Sequence, residues 1–488
     1  MLSTLITKEL KSILLSPKFP ATFGACSVLI LLSIFVGLRE YKASVAETAS
    51  ARALVDQEQR EATSWTGVGN TVFRDPDPMQ VFVAGLQNDI GRLSDVSSFA
   101  GIRLTHSIYS DDPIFAVFRF IDFAFIVQVV LSLFAILFTY DAINGERESG
   151  TLALTLSTAV PRAKYIAGKL TGAWLGLVLP ITIPVLLGVL LVITAGVPFD
   201  GAHWVRLGWL MGASLLYFTF FIVLGVLISS FTGTSSVSFL FSLVSWIALV
   251  LIIPRAGIMA AGQLVPAPTD AELDGQVAAY AKGRWAQHNE QMEQRWIERS
   301  KATAGMNNED REAYQEQHQW GWLEEDEAAR KEVQMDIDRQ TAKFQEDMRN
   351  RKQAQVRLGL GLSRISPASA FQLAAMQLAG TDIDMKTRCE NAMQVYRQSF
   401  LAYRDKKQQE AGGFGGIRIT MDSQRGFSFQ APRDNAALNL SDMPRFKAPE
   451  IALPDYITPA LIDIGLLTVF SIIAFAGAFV GFLRYDVR

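Results

Sequence analysis

"YDAINGERESGTLALTLSTAVPRAKYIAGK", residues 140–169, is the stretch on which the fold turns. It is dense in charge, glycine and hydroxyl residues, yet it lies between two long apolar runs, 117–139 and 170–195. A bilayer core takes about 20 apolar residues as a helix, because backbone polar groups inside it must be satisfied internally. A short polar loop between two such runs marks a chain that leaves the membrane and turns straight back. Within the loop, Gly145 and Gly150 are breakers and Asn144 is a turn former. Ser149 or Thr151 offers a helix start, with Leu152, Leu154 and Leu156 as apolar contacts. Pro161 stands where the next helix opens. The pattern predicts a compact helix–turn–helix that exposes Glu146, Arg147 and Glu148 for docking onto a soluble partner. The alternative is an ordinary inter-helix loop whose charges only set orientation.

Working outward, six runs are long enough to span: 19–38 (TM1), 117–139 (TM2), 170–195 (TM3), 205–229 (TM4), 237–256 (TM5) and 458–483 (TM6). The third contains Pro180 and Pro184, which a membrane helix tolerates with a kink. The composition agrees, with 50% hydrophobic residues among 488 and the charge unevenly spread. A net charge of -3 argues against a nucleic-acid partner, which needs a basic face. Two cysteines, Cys26 and Cys389, build no disulfide framework. The first apolar run lacks a small-residue cleavage site and reads as an uncleaved span.

Lys and Arg in short flanks set orientation. Lys8, Lys11 and Lys18 precede TM1, Arg147, Arg162, Lys164 and Lys169 lie in the 140–169 loop, and Arg484 and Arg488 end the chain. With six spans all fall on one side, so both termini and the loop are expected in the cytoplasm, although Arg39 and Lys42 dissent. Residues 1–18 then form a cytoplasmic amphipathic helix, 140–169 a cytoplasmic coupling loop and 484–488 a cytoplasmic tail. Segments 39–116 and 257–457 lie outside. The fold class is an α-helical membrane protein with six transmembrane helices and a large, mainly helical extracytoplasmic domain carrying a small β/loop part.

Between Thr269 and Ser366 no proline occurs, and Leu273, Val277 and Tyr280, or Val333, Ile337, Phe344 and Met348, recur at helical spacing. Long amphipathic helices, as a hairpin or stalk, are predicted, and 39–64 is similar. From Gly412 onward glycines and prolines predict short strands and loops packing back on the helices. Trp320 and Trp322 suit core packing or a lipid or ligand contact.

The search for catalytic chemistry is negative. His106, His203, His288 and His318 show no metal-ligand spacing, and no HExxH or CxxC occurs. "AGKLTG", 167–172, is not a phosphate loop, since Ala163 stands where the first glycine belongs and Leu170 follows the lysine. Arg119, Asp122, Arg255 and Asp463 sit at membrane edges, where snorkelling, a structural pair or a substrate path would each explain them.

The run Asp141, Gly145-Glu146-Arg147-Glu148, Gly150-Thr151-Leu152, then Ser157, Arg162 and Gly168-Lys169, resembles the first cytoplasmic loop of type-2 (export) ABC transporter permeases. "LITKELKSILLSPKF" is similar to their opening interfacial helix, and the motifs at 74–92 and 362–381 resemble a subgroup with large extracytoplasmic insertions, similar to multi-copper enzyme maturation permeases. The resemblance implies a non-enzymatic subunit of the bacterial inner membrane with no cofactor of its own, ATP and Mg residing on partner ABC ATPase subunits. It implies a second permease subunit, as a homodimer or related heterodimer. Carried over by position, Asp141, Glu146, Arg147, Glu148, Gly150 and Thr151 would contact the ATPase, and Lys8, Glu9 and Lys11 would lie on the interfacial helix. Ala153 departs from the family's usual acidic residue. Membrane lipid and a periplasmic partner complete the expected contacts. The alternative is a non-transporting membrane scaffold or mechanical relay engaging periplasmic partners through its long helices.

Overall fold

The computed structural model describes residues 2–63, 65, 68–87, 91–96, 122–157, 160–410, 418–422, 426–430 and 438–484. Two compact units emerge, Met1–Arg255 with Ser363–Arg488, and Ala256–Leu362. Among the described residues, six helices are long and apolar enough to cross a membrane: Lys18–Glu61, Phe123–Glu148, Arg162–Thr194, Gly201–Phe231, Ser235–Leu264 and Leu453–Leu483.

The larger unit opens with α1 (Leu2–Leu14) and α2 (Lys18–Glu61). The apolar run in α2 ends near residue 38, but the helix continues to Glu61. Its second half is rich in Ala, Glu, Arg and Gln, and no proline or glycine interrupts it. Strands β1 (Asn70–Phe73) and β2 (Leu93–Val96) pair antiparallel, with Asn70 opposite Val96. The next long helix comes in pieces: α3 (Phe123–Phe125), a π turn over Ile126–Leu131, and α4 (Ser132–Thr139). Short helices α5 (Asn144–Glu148) and α6 (Thr151–Ser157) follow. Then come α7 (Arg162–Thr194), unbroken by Pro180 and Pro184, and α8 (Gly201–Phe231). Helix α9 (Ser235–Trp246) runs through a second π turn, Ile247–Ile252, into α10 (Ile253–Leu264), whose later residues belong to the smaller unit.

In the smaller unit, α11 (Asp270–Ala302) and α12 (Asn308–Ser363) form an antiparallel pair. Thr269 and Glu272 make a capping box that starts α11. Leu273, Val333 and Ile337 are buried as the periodicity predicts. Asp336 accepts from Tyr280 (2.9 Å) and Arg284 (2.7 Å), and Asp326 from Arg299 (2.9 Å), which sets the pairing register. Trp322 packs beside His318 and under Arg299, whereas Trp320 is exposed.

Returning to the larger unit, α13 (Pro367–Ala379) is buried at every residue but Gln377. The sequence reading put 362–381 in the outer domain; here α13 belongs to the larger unit and packs against α8 and α15, which cover its mostly apolar side chains. Leu378 meets α8 at Arg206, and Phe371 stacks on Tyr217 (4.7 Å), about 16 Å further along α8. Helix α14 (Ile383–Glu410) leads to the hairpin β3 (Arg418–Asp422) and β4 (Gly426–Gln430), and α15 (Leu453–Leu483) closes the chain. The segment before α15 folds back on α14 as expected, with Tyr396 donating to Pro444 O and Tyr403 to Asp442. Helices α8, α13 and α15 enclose the core around Tyr217, Phe221, Phe371, Leu467 and Phe482.

Candidate functional site

Residues three or four apart share a helix face, and residues two apart do not. Helix α5 therefore presents Asn144 and Glu148 on one side and Glu146 on the other, and the two sides bind different helices.

On the first side, Ser229 Oγ of α8 accepts from the backbone N–H groups of Ile143 (3.0 Å) and Asn144 (3.2 Å). The buried Asn144 amide, with its oxygen toward the Thr232 hydroxyl, donates to the carbonyls of Thr232 (2.7 Å) and Ser229 (2.8 Å). Glu148 reaches the start of α9, where its carboxylate accepts from Ser235 N (2.8 Å) and Ser235 Oγ (2.7 Å). Thr234, at the N-cap of α9, makes no side-chain cap bond. Glu148 supplies that cap from another helix, and its charge complements the positive end of the α9 dipole.

On the second side, Glu146 Oε1 contacts Lys8 (2.8 Å) and Lys169 (3.0 Å), and Oε2 accepts from Tyr165 Oη (2.6 Å). Lys169 also pairs with Glu9 (2.8 Å). The Glu146 side chain is only 12% exposed. It turns inward, against the expectation of an outward charge, because two lysines and a tyrosine offer charge-assisted bonds that water alone would not match.

What brings α1 into place is a ladder of glycines. Gly168, Gly172 and Gly176 recur every four residues on α7, and Leu5, Glu9 and Ile13 recur every four on α1. A Cβ at Gly168 would lie 2.9 Å from Leu5 Cβ, and one at Gly172 would lie 2.5 Å from Glu9 Cβ. Small residues at this spacing let two helices approach backbone to backbone. The false phosphate loop at 167–172 is thus a docking groove. Its signal, the GxxxG spacing, was open to reading in the sequence.

The tip of the loop faces solvent. Gly150 makes the turn from α5 to α6 at φ +72°, a left-handed conformation that glycine adopts without penalty. Arg147, Gly150 and Thr151 are exposed, and so is Lys11 on α1, while Asp141 is half-buried. Leu152 is buried, but Leu154 is 70% exposed, a large apolar side chain in a charged loop.

The residues expected at the other membrane edge separate. Arg119 lies outside the described residues. Asp122 is buried and caps α3 through Phe125 N (2.8 Å), and also accepts from Ala84 N (2.9 Å). Asp463, fully buried, makes a two-pronged pair with Arg364 (2.6 and 3.0 Å). Arg255 is exposed. Sequence reasoning missed Arg206, which is buried on α8 and donates to Leu378 O (2.7 Å) and Asp77 (3.0 Å) while lying over the Tyr456 ring (3.9 Å). Gly380, at φ +65°, ends α13 against the same Tyr456. Nearby Asp382, at the head of α14, accepts from Met385 N (2.9 Å) and Arg388 (3.2 Å). Burial pushes its carboxyl up to about 6 despite the arginine.

A long-helix bundle whose polar loop is tied to an N-terminal helix and to a second inter-helix turn matches one family over nearly its whole length: the ABC-2 family transporter protein profile aligns with residues 4–487. This chain belongs to the ABC-2 transporter family. The permease is also similar to the "Probable ABC transporter permease protein NosY" of Pseudomonas aeruginosa, 33% identical over 128 residues, which are 26% of this chain and 46% of that protein. The aligned part thus spans about half the relative's length. The permease is a multi-pass membrane protein.

Proposed function

We propose that this permease couples ATP hydrolysis by a separate cytoplasmic ATPase to movement of its membrane helices and of the α13 end, driving export. One observation carries the reading: α5 is bound on one face to α1 and α7 and on the other to α8 and α9, while Arg147 on α5 and Thr151 and Leu154 on α6 are exposed. Force applied at the loop tip reaches both helix groups at once. Glu146 and Glu148 act as internal tie rods, and Leu154 is the anchor entering the partner, since covering an exposed apolar side chain is favourable. In this reading the α5 end and both termini face the cytoplasm of a bacterium, the α13 end faces outward, ATP and Mg bind the ATPase, and a second permease subunit completes the membrane assembly within the inner-membrane lipid.

A second reading has one observation in its favour. The 33-residue α11 and the 56-residue α12 form a hairpin that a solute exporter has no evident use for. In that reading ATPase-driven motion works on a periplasmic partner rather than a solute.

Co-expression with the ATPase and purification of the complex tests the first reading. Leu154→Asp should abolish co-purification, and Glu148→Ala should keep the complex but reduce permease-dependent stimulation of ATP turnover. An intact complex with normal stimulation in both variants would overturn it. Transport of lipid or solute in proteoliposomes separates export from relay.

A further inference from the structure

Each of two long helices contains a π turn, Ile126–Leu131 and Ile247–Ile252. A π turn holds one residue more than an α turn, so carbonyls within it lose their normal partners, and such turns are rare and often functional. Pro254 accounts for part of the second, since it has no N–H to offer the carbonyl four residues back. The first has no proline.

Hydroxyls take carbonyls of both turns. Gln128 O accepts from Tyr217 Oη of α8 (2.8 Å) and from Ser132 Oγ (2.5 Å). Leu249 O accepts from Ser366 Oγ, the residue that caps α13. Trp246 Nε1 donates to Ser132 Oγ (2.8 Å), which joins one turn to the other. The Tyr217 ring in turn stacks on Phe371 of α13. Between the turns lies a cavity of about 30 Å³, bordered by Phe125, Gln128, Val250, Pro254 and Gln372, with room for one water.

We propose that seated α13 holds both helices in the π register, and that withdrawal of α13 lets each turn relax to α. Relaxation rotates one flank of the helix against the other by about 100° and shifts it by about 1.5 Å. The two turns thereby convert an in–out movement of α13 into rotation of two membrane helices, and the device stands whatever drives α13.

The test uses the full chain with Cys26→Ala and Cys389→Ala, carrying Ser369→Cys as a thiol reporter in the middle of α13, where Ser369 is fully buried. Tyr217→Phe keeps the ring stack and removes one bond to the first turn. It should speed thiol labelling roughly fivefold, the weight of one hydrogen bond. Ser366→Ala should act similarly through the second turn, and Ser366→Thr, which keeps the hydroxyl, should restore the slow rate. The register itself supplies the decisive comparison. Deleting Val129 removes the extra residue, so the first turn becomes α with both flanks in phase, and Tyr217→Phe should then leave the labelling rate unchanged. Equal acceleration by Tyr217→Phe with and without Val129, or no acceleration in either, overturns the proposal. So does a cryo-EM map of the Tyr217→Phe, Ser366→Ala chain in which α13 has moved and both π turns persist.

Discussion

Lys169 is the cation that Glu9 and Glu146 share, so Lys169→Met is the sharpest perturbation of the α5 junction. At 2.8 and 3.0 Å, with an effective dielectric of about 20, each contact is worth roughly 6 kcal/mol of gross attraction. Desolvation cancels most of that, because the side chains of Lys169, Glu9 and Glu146 are only 9%, 10% and 12% exposed. Removing one partner from such a buried pair costs about 3–5 kcal/mol, chiefly as the stranded opposite charge. Glu146 keeps Lys8 and Tyr165, whereas the carboxylate of Glu9 keeps no other cation among these residues. The cost therefore falls on Glu9 and on α1, at the lower end, about 3 kcal/mol. A shift of that size raises the undocked population of α1 roughly 100-fold. Limited trypsin digestion of the purified permease reads it directly, through cleavage at Lys8 and Lys11. Adding Glu9→Gln to Lys169→Met removes the stranded charge and should recover most of the protection. If Lys169→Met is cleaved at the wild-type rate while its membrane helices remain folded, the junction is not held by this network and the reasoning fails.

Gly172→Ala places a methyl 2.5 Å from Glu9 Cβ, so it should loosen α1 by about 1–3 kcal/mol in the same digestion assay. Glu148→Ala removes the borrowed cap of α9 and should lower the thermal unfolding midpoint of the isolated permease. Leu154→Asp, at an exposed site, should leave that unfolding within about 0.5 kcal/mol of wild type while abolishing binding to the ATPase. Asp382 sets a pH dependence. Its carboxyl rises from 3.8 to about 6 on folding, so its favourable contribution is complete below pH 4 and is lost as the pH rises through 6. The loss amounts to about 3 kcal/mol, and Asp382→Asn should flatten the unfolding profile over that window.

The membrane helices were legible because a bilayer demands runs of about 20 apolar residues, and nothing else in a sequence looks like that. The α11–α12 pair was legible from its periodicity, as was the α5–α6 turn from its glycines and hydroxyls. Helix α13 was not, since a mostly apolar stretch of 13 residues between polar segments is too short to span and carries no mark of where it will be buried. Glu146 and Glu148 share a charge and a neighbourhood in sequence, and the 200° between them on α5 decides which helix each one serves. Sequence reasoning gave all three charges of the loop the same outward role, because the partners of Glu146 lie on α1 and α7 and only the assembled fold brings them together. Arg206 escaped notice for a related reason: its partners, Asp77, Leu378 and Tyr456, come from three segments far apart in the chain.

The glycine ladder on α7 also carries a consequence for biogenesis. Helix α1 leaves the ribosome well before its seat at Gly168, Gly172 and Gly176, which is translated about 160 residues later. Until α7 has been inserted, α1 has no groove to enter, and its amphipathic face can only rest on the lipid surface. Helix α1 therefore locks only after α7 is in place, and its docking reports that insertion has reached that helix.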